Sequence, residues 1–177
     1  MSLILSGDSP SLSGTYQGGA LISGTAQAST SGTSINFTNI PSWVTRITVM
    51  FNAVSTSGTS GIRVQLGTGA TPTYLTTAYD ANGVQVSTAT PSQTTGTEGF
   101  ITGMATSAAQ SIWGSFVITQ ISNNVYTYTA TFAGNLNICG WAAGGRSTSG
   151  SALTAIRVTT VGGTDTFDNG TINILYE

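Results

Sequence analysis

The sequence predicts an all-β fold, a β-sandwich or jelly roll of about nine to ten short antiparallel strands with an extended N-terminal arm. Three observations carry this prediction. Apolar and polar residues alternate with a period of two in many short segments, which is typical of strands with one buried face. Gly-Gly, Asn-Gly and Ser/Thr-rich stretches that favour turns separate these segments. No segment has the apolar period of a long amphipathic helix, so a parallel α/β fold is excluded.

The closing stretch, residues 153–177, shows the alternation most clearly. Its first strand is predicted to bury Ile156 and Val158, and its second to bury Ile172, Ile174 and Tyr176. A Gly-Gly pair and an Asn-Gly pair between the two strands allow the positive φ angles of tight turns. We expect this last strand to close a sheet or to lie against a neighbouring subunit.

The other predicted strands follow at short intervals from residue 34. They comprise residues 34–40, 44–54, 62–66, 74–79, 100–104, 112–121, 125–132 and 136–141. The strongest single strand is 44–54, in which Ile47, Val49 and Phe51 face inward. The clearest hairpin turns at Asn123-Asn124, because asparagine tolerates the left-handed conformation that such turns need.

Three stretches are predicted to lie outside the strands. Residues 84–99 form the least structured part of the chain, being long, polar and interrupted by Pro91. Residues 105–110 are the only place where a helical turn is plausible. Residues 142–151 read as a Gly/Ser loop.

The chain divides into an N-terminal arm, residues 1–25, and a β-sandwich domain, residues 26–177. Near the start of the arm, Leu3, Ile4 and Leu5 form a short apolar segment, and a Ser/Gly-rich run containing Tyr16 follows. We expect these four side chains to anchor the protein on a sister subunit or on a different protein. The alternative is that the arm is an ordinary first strand of the same domain.

Charge is scarce in this protein. Charged residues make up 6% of the chain, whereas a typical soluble domain has about 25%. The net charge is −2, and the four cations are scattered arginines, which cannot form the cluster that phosphate neutralisation requires. Nucleic-acid binding is therefore not expected. The scarcity favours a homo-oligomer, since charges are depleted in interface cores, although Ser and Thr could also keep a monomer in solution.

The sequence gives no reason to expect a membrane or secreted protein. No apolar run approaches the roughly 18 residues of a membrane span. The first residues lack the basic start and the apolar length of a signal peptide. Cys139 is the only cysteine, so an internal disulfide is excluded. If the protein leaves its cell, we expect it to do so by lysis or within an assembly.

Catalytic residue types are missing, so we expect neither enzymatic activity nor a cofactor or metal. The chain has no His, which removes the usual general base, nucleophile partner and metal ligand. Asp165 and Asp168 are the one close carboxylate pair. Such a pair can cleave glycosidic bonds when it faces a sugar, but both residues read as turn residues that bond to nearby backbone. A calcium ion would be held only weakly there.

Aromatic residues provide the one candidate ligand surface. Tryptophan and tyrosine rings bind sugars, but they also fill sandwich cores. Trp43, Tyr74 and Tyr79 are the candidate glycan or receptor face, because Trp43 follows a break at Pro41 and the tyrosines lie near the polar stretch 84–99. Trp113 and Trp141 are expected in the core or in an interface.

Two segments, IPSWVTRITVMFNAVSTSGTS (residues 40–60) and IRVTTVGGTDTFDNGTINILYE (residues 156–177), resemble a β-domain of tailed-bacteriophage virion proteins. In that family the domain is a small surface protein or the C-terminal part of a fibre-like protein. The opening MSLILSGD is similar to the starts of phage head-fibre and tail-fibre proteins. The resemblance implies a virion-exposed, homotrimeric β-domain, made in the host cytoplasm and without a catalytic motif.

The expected function is that of a capsid decoration protein, a cement or head-fibre protein anchored on the major capsid protein by its arm. The alternative is a short tail fibre or adhesin that attaches to tail components and binds a host-surface glycan. Length favours decoration, because fibres that reach host receptors carry a long shaft and this chain has only a short arm before its domain.

Overall fold

A computed structural model describes residues 21–87, 91–104, 107–147 and 151–177, and these residues form strands, turns and loops without any helix. No part of what is described could therefore cross a bilayer as a helix. The strands of the described residues are β1 (Ile22–Ser23), β2 (Gln27–Ala28), β3 (Ser34–Phe37), β4 (Arg46–Thr56), β5 (Ile62–Thr68), β6 (Thr73–Tyr74), β7 (Tyr79–Val86), β8 (Ser92–Gly96), β9 (Phe100–Ile101), β10 (Ile112–Ser122), β11 (Val125–Gly134), β12 (Ile138–Ser147), β13 (Leu153–Thr160) and β14 (Phe167–Tyr176).

Two antiparallel sheets form the molecule. The large sheet has the order β1-β14-β4-β10-β11-β12-β7-β8, with β2 also paired to β14. The small sheet has the order β3-β13-β5-β6, with β9 also paired to β5. The prediction of an all-β sandwich is confirmed. Its jelly-roll form is not confirmed, because the consecutive strands β10, β11 and β12 are neighbours in one sheet.

The core lies between the sheets and has an aromatic centre. Phe132 lies 5.1 Å from Phe51 and 5.3 Å from Phe116, measured between ring centroids. Phe100 stacks on Tyr128 at 4.3 Å. Each fully buried side chain of this size stabilises the fold by roughly 1.5–3 kcal/mol relative to an exposed one. Ile47, Val49 and Phe51, the inward positions predicted for β4, are buried as expected.

The last strand, β14, is covered on both sides within the described chain. One side pairs with β4. On the other side Ile22 lies opposite Tyr176, and Ala28 lies opposite Thr171. Ser29 is fully buried and its hydroxyl donates to the Asn169 carbonyl at 2.7 Å. The end of the predicted arm is thus part of the sheet, whereas the predicted anchors Leu3, Ile4, Leu5 and Tyr16 lie outside the described residues.

Two stretches predicted as irregular contain strands. Within residues 84–99, β7 continues to Val86 and β8 pairs with it. Within residues 142–151, β12 continues to Ser147 and pairs with both β11 and β7. The physical reason in β12 is close packing: a Cβ on Gly144 would overlap the backbone oxygen of Asp80 in β7. Glycine is needed there for contact between strands, not for a loop.

Candidate binding surface on the large sheet

The three predicted glycan-face residues do not form one surface. Trp43 is 39% exposed, as predicted, and its ring lies 6.1 Å from that of Tyr176. Tyr74 is half-buried on the small sheet, and the Arg157 guanidinium lies over its ring at 3.8 Å. That cation covers one ring face, so the face is closed to a stacked sugar.

Tyr79 requires a correction, because it belongs to the core. Its side chain is 1% exposed and its ring packs edge-on against Phe100 at 5.1 Å. Its hydroxyl accepts a hydrogen bond from the Leu66 N–H at 2.8 Å. Burial raises the pKa of Tyr79 to about 12, and the hydrogen bond from Leu66 opposes this shift. A ring enclosed in this way cannot be a platform for a surface ligand.

The carboxylates of Asp165 and Asp168 bond to two different places, the loop after β4 and the end of β4 itself. Asp165 accepts a hydrogen bond from the Ser60 N–H at 2.8 Å. Asp168 accepts one from the Ser55 hydroxyl. The prediction that both are turn residues bonded to nearby backbone is therefore wrong: Asp168 lies within β14, and each carboxylate bonds to a residue more than 100 positions away in the sequence. Among the described residues, no group of three His, Cys, Asp or Glu side chains could hold a metal ion.

The outer face of the large sheet, which points away from the small sheet, consists mostly of uncharged side chains in register. Three rows run across the strands. They are Asn173-Met50-Ser115-Thr131-Trp141-Val84-Gln93, Leu175-Thr48-Val117-Thr129-Ala143-Asn82-Thr95 and Trp113-Ala133-Cys139-Val86. None of these side chains is buried, and none is Asp, Glu, Lys or Arg. These three rows are therefore amphipathic without charge, whereas the next row, Arg46-Thr119-Thr127-Gly145-Asp80, has a cation at one end and an anion at the other.

A depression of about 380 Å³ lies on this outer face beside Trp141. Trp141 is 49% exposed. Thr129 and Thr131 of β11 line one side, whereas Asn82 of β7 and Gln93 of β8 line the other. The depression forms because β12, which lies between β11 and β7, has small residues such as Ala143 at this place. The indole of Trp141 thus lies next to an open depression that is lined by residues with hydroxyl and amide groups.

Trp113 is a second exposed indole on the same face, with 42% of its surface accessible. It lies on β10, two strands from β12 and one row from Trp141. Strand spacing and the rise per residue put the two backbone positions about 12 Å apart. Because both tryptophans are on long strands within the sheet, their spacing is held by the backbone.

Another group of exposed apolar side chains lies at one end of the sandwich, which we call the arm end. Leu21 precedes the β1 residue that pairs with Tyr176, and Trp43 packs near Tyr176. Ile121 follows Gln120, whose N–H donates to the Thr45 carbonyl at 2.7 Å. Thr45 and Arg46 in turn donate to the Glu177 carbonyl. Leu21, Trp43 and Ile121 are therefore exposed at the end where the chain enters the described fold.

Sequence reasoning did not identify the two outer-face tryptophans as a candidate ligand surface. For Trp141 the reason is that its strand was predicted to end at that residue, whereas β12 continues to Ser147. Trp113 and Trp141 are both exposed in this chain, so the expectation that they lie in the core is wrong, and the alternative that they lie in an interface stays a prediction. The signal was present in the alternation, because buried Ile112 and Ala142 adjoin them. Extending the strand 136–141 across residues 142–147 would have put Trp141 on the side opposite Ala142.

Comparison of the chain with protein-family models, with curated proteins and with solved structures finds no match.

Proposed function

We propose that the protein is a bacteriophage virion structural protein, a homotrimeric capsid decoration protein of the cement or head-fibre kind. It is made in the host cytoplasm and is held on the virion surface, on the major capsid protein, by its N-terminal arm. The observation that carries the proposal is the arm end, where Leu21, Trp43 and Ile121 are exposed at the end of the sandwich at which the chain enters the described fold.

The arm end supports anchoring because two linked contacts bind more tightly than either alone. Once the arm is attached to the shell, the arm end is held at high effective concentration against it. Because these three apolar side chains are 39–63% exposed, burying each would contribute only part of the roughly 1.5–3 kcal/mol of a fully exposed side chain, before the costs of association. With the arm end against the shell, the outer face of the large sheet is left uncovered by the shell.

A capsid-binding experiment tests this anchoring directly. The variant Trp43→Ser/Ile121→Ser removes the apolar side chains of the arm end, and Trp113→Ser/Leu136→Ser removes the same types of side chain elsewhere. Both pairs are exposed, so both variants should fold. With purified capsids that lack the protein, the arm-end variant should bind at least about tenfold more weakly, and the control should bind as the unchanged protein does. Equal binding by both variants would contradict the proposal.

Copy number and oligomeric state test the rest. We expect hundreds of copies per particle by quantitative cryo-microscopy, and a trimer by native mass spectrometry. Capsids without the protein should lose resistance to heat. A few copies confined to the tail would instead favour the tail-fibre or adhesin alternative with tail components as partners, and a monomer at micromolar concentration would overturn the trimer.

A further inference from the structure

We propose that the outer face of the large sheet binds a neutral saccharide, with Trp141 as its central platform and Trp113 as a second contact. This inference does not rest on the proposed function, because it concerns a surface away from the arm end. It also differs from the predicted face of Trp43, Tyr74 and Tyr79, which the structure separates.

The chemistry of the depression matches a sugar ring on both of its surfaces. A pyranose has an apolar C–H face and a rim of hydroxyl groups. Trp141 offers a flat apolar surface that is half exposed, and the hydroxyls of Thr129 and Thr131 and the amides of Asn82 and Gln93 line the same depression. Hydroxyl and amide groups both donate and accept, as a sugar hydroxyl does. The volume of about 380 Å³ lies within the usual range for ligand sites.

The absence of charge restricts the ligand class. None of the residues that line the depression is ionisable, and the three outer-face rows contain no Asp, Glu, Lys or Arg. A uronic acid, a sialic acid or a sulfated sugar would lose water from its anionic group without gaining a cation. A neutral hexose or N-acetylhexosamine has no such cost.

The second tryptophan indicates an oligosaccharide. The separation of about 12 Å between Trp113 and Trp141 along the sheet is more than one sugar ring spans. A chain of several units could contact both indoles, with Thr131 and Ser115 between them. Binding should therefore strengthen with chain length until both platforms are covered, and then level off.

The test measures binding to the purified full chain by tryptophan fluorescence and isothermal titration calorimetry. The neutral probes are the trisaccharides and hexasaccharides of maltose, cellulose, chitin and mannan types, extended by an array of neutral glycans. Acidic probes are sialyllactose and polygalacturonate fragments. We expect at least one neutral series to bind, the acidic probes not to bind, and 0.5 M NaCl to leave the affinity within about twofold, since no charge pairing is involved.

Matched tryptophan variants locate the site. Trp141→Ala should weaken binding of trisaccharide and hexasaccharide about tenfold or more. Trp113→Ala should weaken only the hexasaccharide, by about threefold to tenfold. Trp43→Ala, which removes an equally exposed indole at the arm end, should change neither. Thr131→Val keeps the shape of its side chain and removes the hydroxyl, so it should reduce affinity without loss of fold.

Three results would each overturn the inference. The first is no binding to any neutral glycan on the array. The second is binding that Trp141→Ala leaves unchanged. The third is hydrogen exchange in solution showing that copies of the protein bury this face against one another, because an interface would then occupy it.

Discussion

The hydroxyl group of Tyr79 connects the two sheets, because it extends from β7 and accepts a hydrogen bond from the Leu66 N–H in β5. Tyr128 makes the corresponding contact from β11, where its hydroxyl accepts from the Ile101 N–H at the longer distance of 3.4 Å. Both side chains are buried. Burial raises the pKa of both phenols, because a phenolate would be poorly solvated there.

These tyrosines predict a loss of stability in alkali. A folded-state pKa above the unfolded value of 10 means that the native protein holds its proton more tightly. The stabilisation is therefore complete below pH 10 and is lost as pH rises toward about 12 for Tyr79. Urea unfolding between pH 8 and pH 11.5 should show this decline. Tyr79→Phe should flatten it while costing about 1–3 kcal/mol at pH 8, because the Leu66 N–H loses its partner. A decline as steep as in the unchanged protein would contradict this account.

Two adjacent glycines in β12 allow a matched test of close packing. A Cβ on Gly144 would overlap the backbone oxygen of Asp80. A Cβ on Gly145 would lie 3.4 Å from the backbone oxygen of Tyr126, which is an ordinary contact. Gly144→Ala should therefore destabilise the fold by about 1–3 kcal/mol by forcing β12 and β7 apart. Gly145→Ala should change the free energy of unfolding by less than about 1 kcal/mol. Chemical denaturation of both variants measures the difference, and equal effects would show that β7 is not held at this distance.

At the scale of elements, β1 and β2 protect an edge. Together they pair with β14 and leave few of its outer backbone groups open. We expect a chain that begins at Leu21 to be monodisperse and to have the same oligomeric state as the full chain. A chain that begins at Ser29 should associate or aggregate, since an open edge of an apolar strand pairs readily with other edges. Size-exclusion chromatography with light scattering compares the two, and identical profiles would refute a protective role.

The strands that could be predicted are those whose signal is local. A local period-two alternation predicts β4, and its inward residues Ile47, Val49 and Phe51 are all buried. The first part of β12 was predicted as strand 136–141, but its continuation to Ser147 could not be, because the glycines there are explained by contacts with strands distant in sequence, such as that of Gly144 with Asp80. The candidate face was wrong at Tyr79, which is buried, because the predicted strand 74–79 ended at the residue where β7 begins. Trp141, for which the core was one expected place, is exposed on β12. Only Trp43, which follows a local break at Pro41, was placed correctly.

At the scale of the whole molecule, stability comes from apolar burial and backbone pairing, with little from charge. The described residues form the ion pairs Arg46–Glu177, which is exposed, and Arg63–Glu98. Exposed pairs contribute about 0–1 kcal/mol each. We therefore expect the melting temperature to change by no more than about 4 °C between 0.05 and 0.5 M NaCl. A larger decrease in melting temperature at high salt would show that further ionic interactions, within the chain or between subunits, stabilise the protein. Calorimetry at the two salt concentrations measures it.

The pairing of Ile22 with Tyr176 has a consequence for protein engineering, because it brings both boundaries of the described fold to one place. A short flexible linker from Glu177 to Leu21 could join them, and the chain could be reopened at the exposed Gly162-Gly163 turn, where a Cβ on Gly163 would meet nothing within 4 Å. Such a circular permutant should keep both sheets. A protein fused to the new termini would be displayed at the end of the sandwich opposite the arm end. Fusions could then be placed at either end of the sandwich by choosing the original or the permuted chain.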